Sequence, residues 1–152
     1  METEKMIKKL TYNGFGFPIV LANVPVKMIR GRLEPVINYK ELSAAVITAL
    51  CLKQTPLTGN QVKFIRLFFE MSLRDFAALF GLTHQAVMKW EEHGDKFASI
   101  SPAIEKTLRL DALFRLGVTP REFYKIFSDL QTLASTLQKS ESLKEAPLKL
   151  AM

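Results

Sequence analysis

The chain has 152 residues, of which 48% are apolar and 24% charged, enough for one domain or two small ones. No apolar run approaches the roughly 20 residues of a membrane-spanning helix, and residues 1–10 lack the apolar stretch of a signal peptide. We therefore expect a cytoplasmic protein with no membrane segment, and its net charge of +6 favours polyanionic partners.

The chain offers few groups for metal binding or catalysis. Cys51 is the only cysteine, which excludes an intrachain disulfide and a CxxC metal site, and its apolar neighbours predict a buried, unreactive side chain. His84 and His93 are nine residues apart without clustered cysteines, so no metal site is predicted. Because no nucleophile–base set, phosphate-binding loop or cofactor motif occurs, we expect neither an enzyme nor a cofactor.

Residues 1–56 are predicted to form a β-strand-rich segment followed by one helix. Between Tyr12 and Ile37, glycines, prolines and β-branched residues indicate two or three short strands. Asn38 and Glu41 then fit a helix capping box, and Pro56 ends that helix. Three such strands would be marginal alone, so we expect them to pack on the helices or to pair with another chain.

Residues 57–139 are predicted to form a five-helix domain, which makes the fold class mainly α. Four of the predicted helices begin after a capping side chain, at Ser72, Thr83, Ser101 and Thr119. Gly81 ends the helix that Ser72 begins, because glycine tolerates a left-handed backbone. Residues 140–152 are predicted to be a flexible tail.

The last predicted helix carries an apolar stripe. Its members recur at four- and three-residue steps: Phe123, Phe127, Leu130, Ala134 and Leu137. The stripe either closes the core of the domain or forms a homodimer contact. We favour the dimer, because one DNA-reading motif covers too few base pairs for useful specificity.

Two short helices joined by "FGLT" form the motif over residues 72–91. Phe76 and Ala77 lie on the predicted inner face of the first helix, and Val87 and Trp90 turn the second helix inward. The small Ala77 allows two helices to cross closely. This spacing is typical of a helix-turn-helix, in which the second helix enters a DNA major groove.

The span from Leu57 to about Leu116 resembles the Xre/Cro-type helix-turn-helix of phage repressors and bacterial antitoxins. The residues that carry the likeness are "IRLFFEMSLRDFAALFGLTHQAVMKWE", and their "LFG" turn and "KWE" end are most similar to antitoxins of the MqsA/HigA group. Upstream, "YNGFGFPIVLANVPV" more weakly resembles the segment in which such antitoxins bind zinc and their toxin, but it lacks the zinc-ligand cysteines. Leu73 also departs from the family, which often has Gln there.

The resemblance implies a sequence-specific DNA-binding repressor that occupies operator DNA as a homodimer. As an antitoxin, it would also bind a small toxin protein and autoregulate the shared operon, with residues 1–56 as the toxin-binding or assembly region. A stand-alone repressor is the alternative within DNA binding. A protein-interaction module that never touches DNA is the alternative outside it, favoured by residues 57–100, which carry five Lys/Arg and five Asp/Glu.

Seven residues are predicted to contact DNA: Ser72, Arg74, Thr83, His84, Gln85, Ala86 and Lys89. Gln85 can grip adenine with two hydrogen bonds, His84 can meet a purine edge, and Ala86 leaves room for a thymine methyl. Lys89 can reach guanine or a phosphate. The helix starts at Ser72 and Thr83 present backbone N–H groups to phosphates, and Arg74 takes the phosphate role that the family gives to Gln.

Three neighbouring side chains are assigned by their position on the predicted helices. Trp90 is expected in the core, and Glu91 is expected to hold the end of the motif by hydrogen bonding. For Arg66 two roles remain possible, a phosphate contact or a solvated surface charge.

Overall fold

The computed structural model describes residues 5–117, 121–122, 125 and 147–151. In chain order its helices and strands are β1 Lys5–Tyr12, β2 Ile19–Ile29, β3 Arg32–Pro35, α1 Tyr39–Leu52, α2 Gly59–Phe68, α3 Leu73–Ala78, α4 His84–Glu92, α5 Pro102–Arg115 and β4 Leu148–Ala151. Asn38 caps α1, and its side chain accepts a hydrogen bond from the backbone N–H of Glu41. β2, β3 and α1 therefore form where the sequence predicts them, whereas β1 lies almost entirely before Tyr12, outside the region predicted to form strands.

β2 is the central strand of a four-stranded mixed sheet. It pairs antiparallel with β1 along its length, from Ile19 opposite Tyr12 to Val26 opposite Lys5. On its other edge, the second half of β2 pairs antiparallel with β3 and the first half pairs in parallel with β4. Arg30 and Gly31, both with positive φ, form the two-residue turn between β2 and β3, as a right-handed strand twist requires.

The alternation of buried and exposed residues along β2 shifts by one position at Asn23. Ile19 and Leu21 are buried before this residue, whereas Val24 and Val26 are buried after it. Asn23 has a φ of 52°, a left-handed conformation that asparagine adopts more readily than most residues. Strict alternation would turn one half of the strand's apolar side chains away from the core.

One apolar core joins the sheet to the helices. The buried face of β2 belongs to the same cluster as Val46 and Leu50 of α1 and Leu113 of α5. α1 packs against β4 of the sheet and against α5 and α2 of the helices that follow it. Leu148 and Leu150 of β4 complete the cluster at the far end of the chain.

The predicted mainly-α fold class is wrong. The described residues contain a mixed four-stranded sheet, which shares the core with the helices, and four of the five described helices, α2 to α5, fall within the predicted five-helix domain. The expected flexible tail is also wrong at Leu148–Ala151, where alternate leucines face the core and the strand pairs with β2. Of the fifth helix predicted for that domain, only residues 121, 122 and 125 are described, and they are helical; its apolar stripe (Phe123, Phe127, Leu130, Ala134, Leu137) lies outside the described residues.

A buried ion pair on α5 holds the connector that joins α1 to α2. Arg109 Nη2 lies 3.0 Å from Glu105 Oε2, and their side chains are 0% and 3% exposed. The same guanidinium donates to the carbonyl oxygens of Lys53 at 2.6 Å and Thr55 at 2.7 Å. Glu105 in turn accepts a hydrogen bond from the N–H of Leu57 at 2.8 Å. A single polar cluster therefore holds the chain where it passes from α1 to α2.

Cys51 is fully buried, as predicted, and burial raises the pKa of its thiol to about 12. We expect a soluble disulfide reagent to leave the folded protein unmodified at about pH 8 and to modify it quickly in urea. The unfolded thiol ionises near its ordinary pKa of 9.0, so the free energy of unfolding falls as the pH rises from about 9 to about 12. Below that window this group has no effect. Rapid modification of the folded protein would contradict the burial.

Candidate nucleic-acid interface

α3 and α4 pack against each other across a tight turn. Phe76 and Ala77 of α3 are buried, as are Val87 and Trp90 of α4, so the inner faces predicted from the sequence are confirmed. The N–H of Leu82 donates to the carbonyl of Ala77 at 3.0 Å, which closes the turn. Gly81 within it has a φ of 67°, where a side chain would be strained.

The starts of the two helices are capped differently. The Ser72 hydroxyl accepts a hydrogen bond from the N–H of Asp75 at 3.0 Å and so caps α3 as predicted. Thr83 occupies the cap position of α4, but its side chain makes no capping hydrogen bond. Both residues are exposed, and the Thr83 hydroxyl is not used by its own helix.

The seven predicted DNA contacts divide by exposure. Five are exposed, and they lie at the starts of α3 and α4 and one turn into α4: Ser72, Arg74, Thr83, Gln85 and Lys89. His84 and Ala86 are only half-exposed. Within the described part of the chain, no hydrogen bond or ion pair engages the side chains of Arg74, Gln85 or Lys89, so they are free to bind a ligand.

Sequence reasoning missed Met88. Its side chain is 41% exposed and lies on the same side of α4 as Gln85 and Lys89, with Glu92 one turn further along. The signal was available, because residues three and four apart share a helix face and Val87 and Trp90 were already assigned to the opposite one. An exposed methionine on this face adds an apolar contact to the polar ones.

α4 is braced from behind by Arg66. The Arg66 guanidinium holds the Glu91 carboxylate with two hydrogen bonds of 2.8 and 2.9 Å and also donates to the carbonyl of Met71 at 2.9 Å. Arg66 is buried, so of the two interpretations left open neither holds: it is neither a phosphate contact nor a solvated charge. The predicted role of Glu91 in holding the end of the motif is confirmed.

The beginning of α2 is docked onto the end of α4. Gly59 donates its N–H to the carbonyl of Lys96 at 3.1 Å, and Asn60 donates to the carbonyl of Gly94 at 2.9 Å. A Cβ atom at Gly59 would lie 2.6 Å from the carbonyl oxygen of Trp90. Only glycine allows the start of α2 to lie this close to the backbone at the end of α4.

The histidines show no sign of a metal centre. His93 Nδ1 lies 2.7 Å from the carbonyl oxygen of Lys89 at the exposed end of α4. His84 is half-exposed at the start of the same helix. In the described ranges, no three His, Cys, Asp or Glu side chains are grouped so that they could hold a metal ion.

The described helices are all too short or too polar to cross a bilayer. Comparison of the chain with protein-family models, with curated proteins and with solved structures finds no match.

Proposed function

We propose that the chain binds double-stranded DNA sequence-specifically by inserting the first turns of α4 into the major groove, and that it represses transcription by occupying an operator. The observation that carries this proposal is the outer face of α4. It presents Gln85, Met88 and Lys89 to solvent, and Gln85 and Lys89 have no partner within the described part of the chain. In DNA-binding helix-turn-helix domains, the second helix of the motif is the usual reader of base edges.

The side chains on this face complement different groups of the DNA. Gln85 offers an acceptor and two donors, which match N6 and N7 of adenine. Met88 offers an apolar surface for a thymine methyl group. Lys89 donates to guanine or to a phosphate, and Arg74 at the start of α3 supplies a phosphate contact.

Rigid support strengthens the proposal. The Arg66–Glu91 pair and the close approach of Gly59 to Trp90 hold α4 from its buried side. Side chains presented from a fixed helix lose less entropy on binding, since their backbone is already positioned. Residues 57–100 carry five Lys/Arg and five Asp/Glu, so the affinity depends on positioned groups and on basic flanks more than on local net charge.

The wider biological role rests on the resemblance to MqsA/HigA antitoxins. It includes a homodimer on a two-fold operator, a small toxin bound by residues 1–56, autoregulation of the shared operon and a cytoplasmic location. The stand-alone repressor shares the same DNA-binding face and differs only in having no toxin partner.

Fluorescence anisotropy of the full-length protein tests the proposal, with a labelled duplex from upstream of its own gene and a scrambled duplex beside it. Gln85→Ala is expected to weaken binding to the native duplex by about 1–3 kcal/mol and to leave the scrambled duplex unaffected. Gln54→Ala, the same substitution at an exposed position in the connector between α1 and α2, is the matched control and should change the affinity less than about twofold. Equal effects of the two substitutions would contradict base reading by α4.

A protein-interaction module is the second candidate. Leu79 and Met88 are both exposed, at 38% and 41%. Exposed apolar side chains on a region with no net charge also suit a protein partner. Binding to neither duplex at low salt, together with a stable complex with a co-expressed protein, would favour this candidate.

A further inference from the structure

A groove lies on the outer face of α2, between the start of α1 and the loop that joins β1 to β2. Its volume is about 540 Å³, within the range of small-molecule sites. The residues of α2 that line it are Asn60, Lys63, Phe64, Leu67 and Phe68. The residues that pack α2 on the motif, Val62, Ile65 and Arg66, are buried on the helix's other face, so the groove is separate from the DNA-reading face.

The floor of the groove is aromatic. Phe15 from the loop is buried beneath it, with its ring centroid 4.9 Å from that of Phe64 and 5.3 Å from that of Tyr39. Tyr39 is 61% exposed and Leu67 is 53% exposed, so the walls present large apolar side chains to solvent. Apolar surface of this kind favours the rings or chains of an organic ligand.

The rim of the groove is positively charged. Lys40 and Lys63 line it, and no acidic side chain does so among the described residues. Of the other polar side chains, the Ser43 hydroxyl donates to the carbonyl of Tyr39 and the Asn60 amide donates to Asp95. The two lysines make no ion pair or hydrogen bond within the described ranges and are free to hold a negative charge.

We propose that this groove binds a small amphipathic organic anion, with an aromatic or aliphatic body against the rings and an acidic group at the two lysines. The combination of an apolar floor with two unpaired cations and no acid fits such a molecule and disfavours cations and neutral polar ligands. The proposal is independent of DNA binding, because no residue of the outer α4 face takes part.

Fluorescence titration with 8-anilinonaphthalene-1-sulfonate, an aromatic anion, tests the site on the full-length protein. We expect saturable binding of about one molecule per chain, displaced by dodecanoate below its micelle concentration. Dodecyltrimethylammonium, which has a chain of the same length and the opposite charge, should not displace it. An absence of saturable binding, or equal displacement by the two amphiphiles, would overturn the proposal.

Charge-reversal variants locate the site. Lys40→Glu combined with Lys63→Glu is expected to weaken binding of the dye by about tenfold or more, because the charge-assisted contacts with its sulfonate are lost. Lys8→Glu combined with Lys9→Glu makes the same change of charge at exposed positions on β1 and should have an effect below about twofold. All four side chains are exposed, so both variants should fold, which circular dichroism would verify. Equal weakening by the two variants would mean that only net charge matters and would overturn the site.

Discussion

Replacing Arg109 with methionine is expected to lower the free energy of unfolding by about 3–5 kcal/mol. Methionine keeps an unbranched apolar side chain in place of the aliphatic part of arginine, but it is shorter and cannot neutralise Glu105, whose carboxylate would stay buried without its 3.0 Å partner. The carbonyls of Lys53 and Thr55 would also lose their donor. Urea unfolding followed by circular dichroism measures the change, which is large compared with the total stability of an ordinary domain.

Arg115→Met on the same helix is the matched control. Arg115 pairs with Asp111 at the same four-residue spacing, but these side chains are 37% and 31% exposed. Exposed pairs contribute about 0–1 kcal/mol, so the control should be nearly neutral. Adding Glu105→Gln to Arg109→Met should recover part of the loss, because it removes the buried charge while keeping an acceptor for the N–H of Leu57. A similar small loss in Arg109→Met and Arg115→Met would show that the cluster does not stabilise the fold.

The second large effect is expected for Gly59→Ala. The new Cβ would lie 2.6, 2.7 and 2.8 Å from backbone atoms of Trp90, Gly94 and Glu91, none of which can move as a side chain does. We expect a loss of about 1–3 kcal/mol of stability as α2 and α4 are forced apart. Without the clash, alanine would stabilise the first turn of a helix relative to glycine, so even the sign of the change is informative.

The displacement of α4 in Gly59→Ala is also expected to change the affinity for DNA. Gly59 lies against the backbone at the end of α4, so the substitution is expected to displace this helix. The folded fraction of the variant should therefore bind DNA more weakly than the folded wild-type protein does. Lys63→Ala, at an exposed position on the same helix, should change the stability by less than about 0.5 kcal/mol and leave DNA binding intact. A stable Gly59→Ala protein with unchanged affinity would contradict the proposed support of α4 by α2.

Local patterns were sufficient to predict the motif. Ser72 marks the start of α3, which ends at Ala78, a little before the Gly81 that was predicted to end it. The spacing of Phe76, Ala77, Val87 and Trp90 gives the contact of α3 with α4. These contacts join residues close in the sequence, so a periodicity of 3.6 residues is enough to find them.

The sheet could not be predicted in the same way. β4 is only four residues long and pairs with β2 from the other end of the chain, with Leu148 beside Ile19. Nothing within "APLKLAM" distinguishes a buried strand from a frayed tail, and parallel pairing leaves no local turn signal. The predicted mainly-α class failed because β1 and β4 were both missed and because β2, eleven residues long, shares the core with the helices.

Charge pairs show the same limit. Glu105–Arg109 and Asp111–Arg115 have the same spacing in the sequence, yet one pair is buried and the other exposed. Only the way α5 packs on α1 and its connector separates them. The braced Arg66 was equally ambiguous, because its partner Glu91 is 25 residues away on another helix.

The central claim, that the outer face of α4 reads DNA sequence, is tested most directly by selecting bound duplexes from a random pool. The selection is run with the wild-type protein and with Gln85→Ala, and the enriched sequences are compared. We predict that the wild type enriches one motif and that the variant loses the preference for adenine at one position of it. A wild-type protein that enriches no motif, or a variant that enriches the identical motif with the same preference at every position, would contradict the claim.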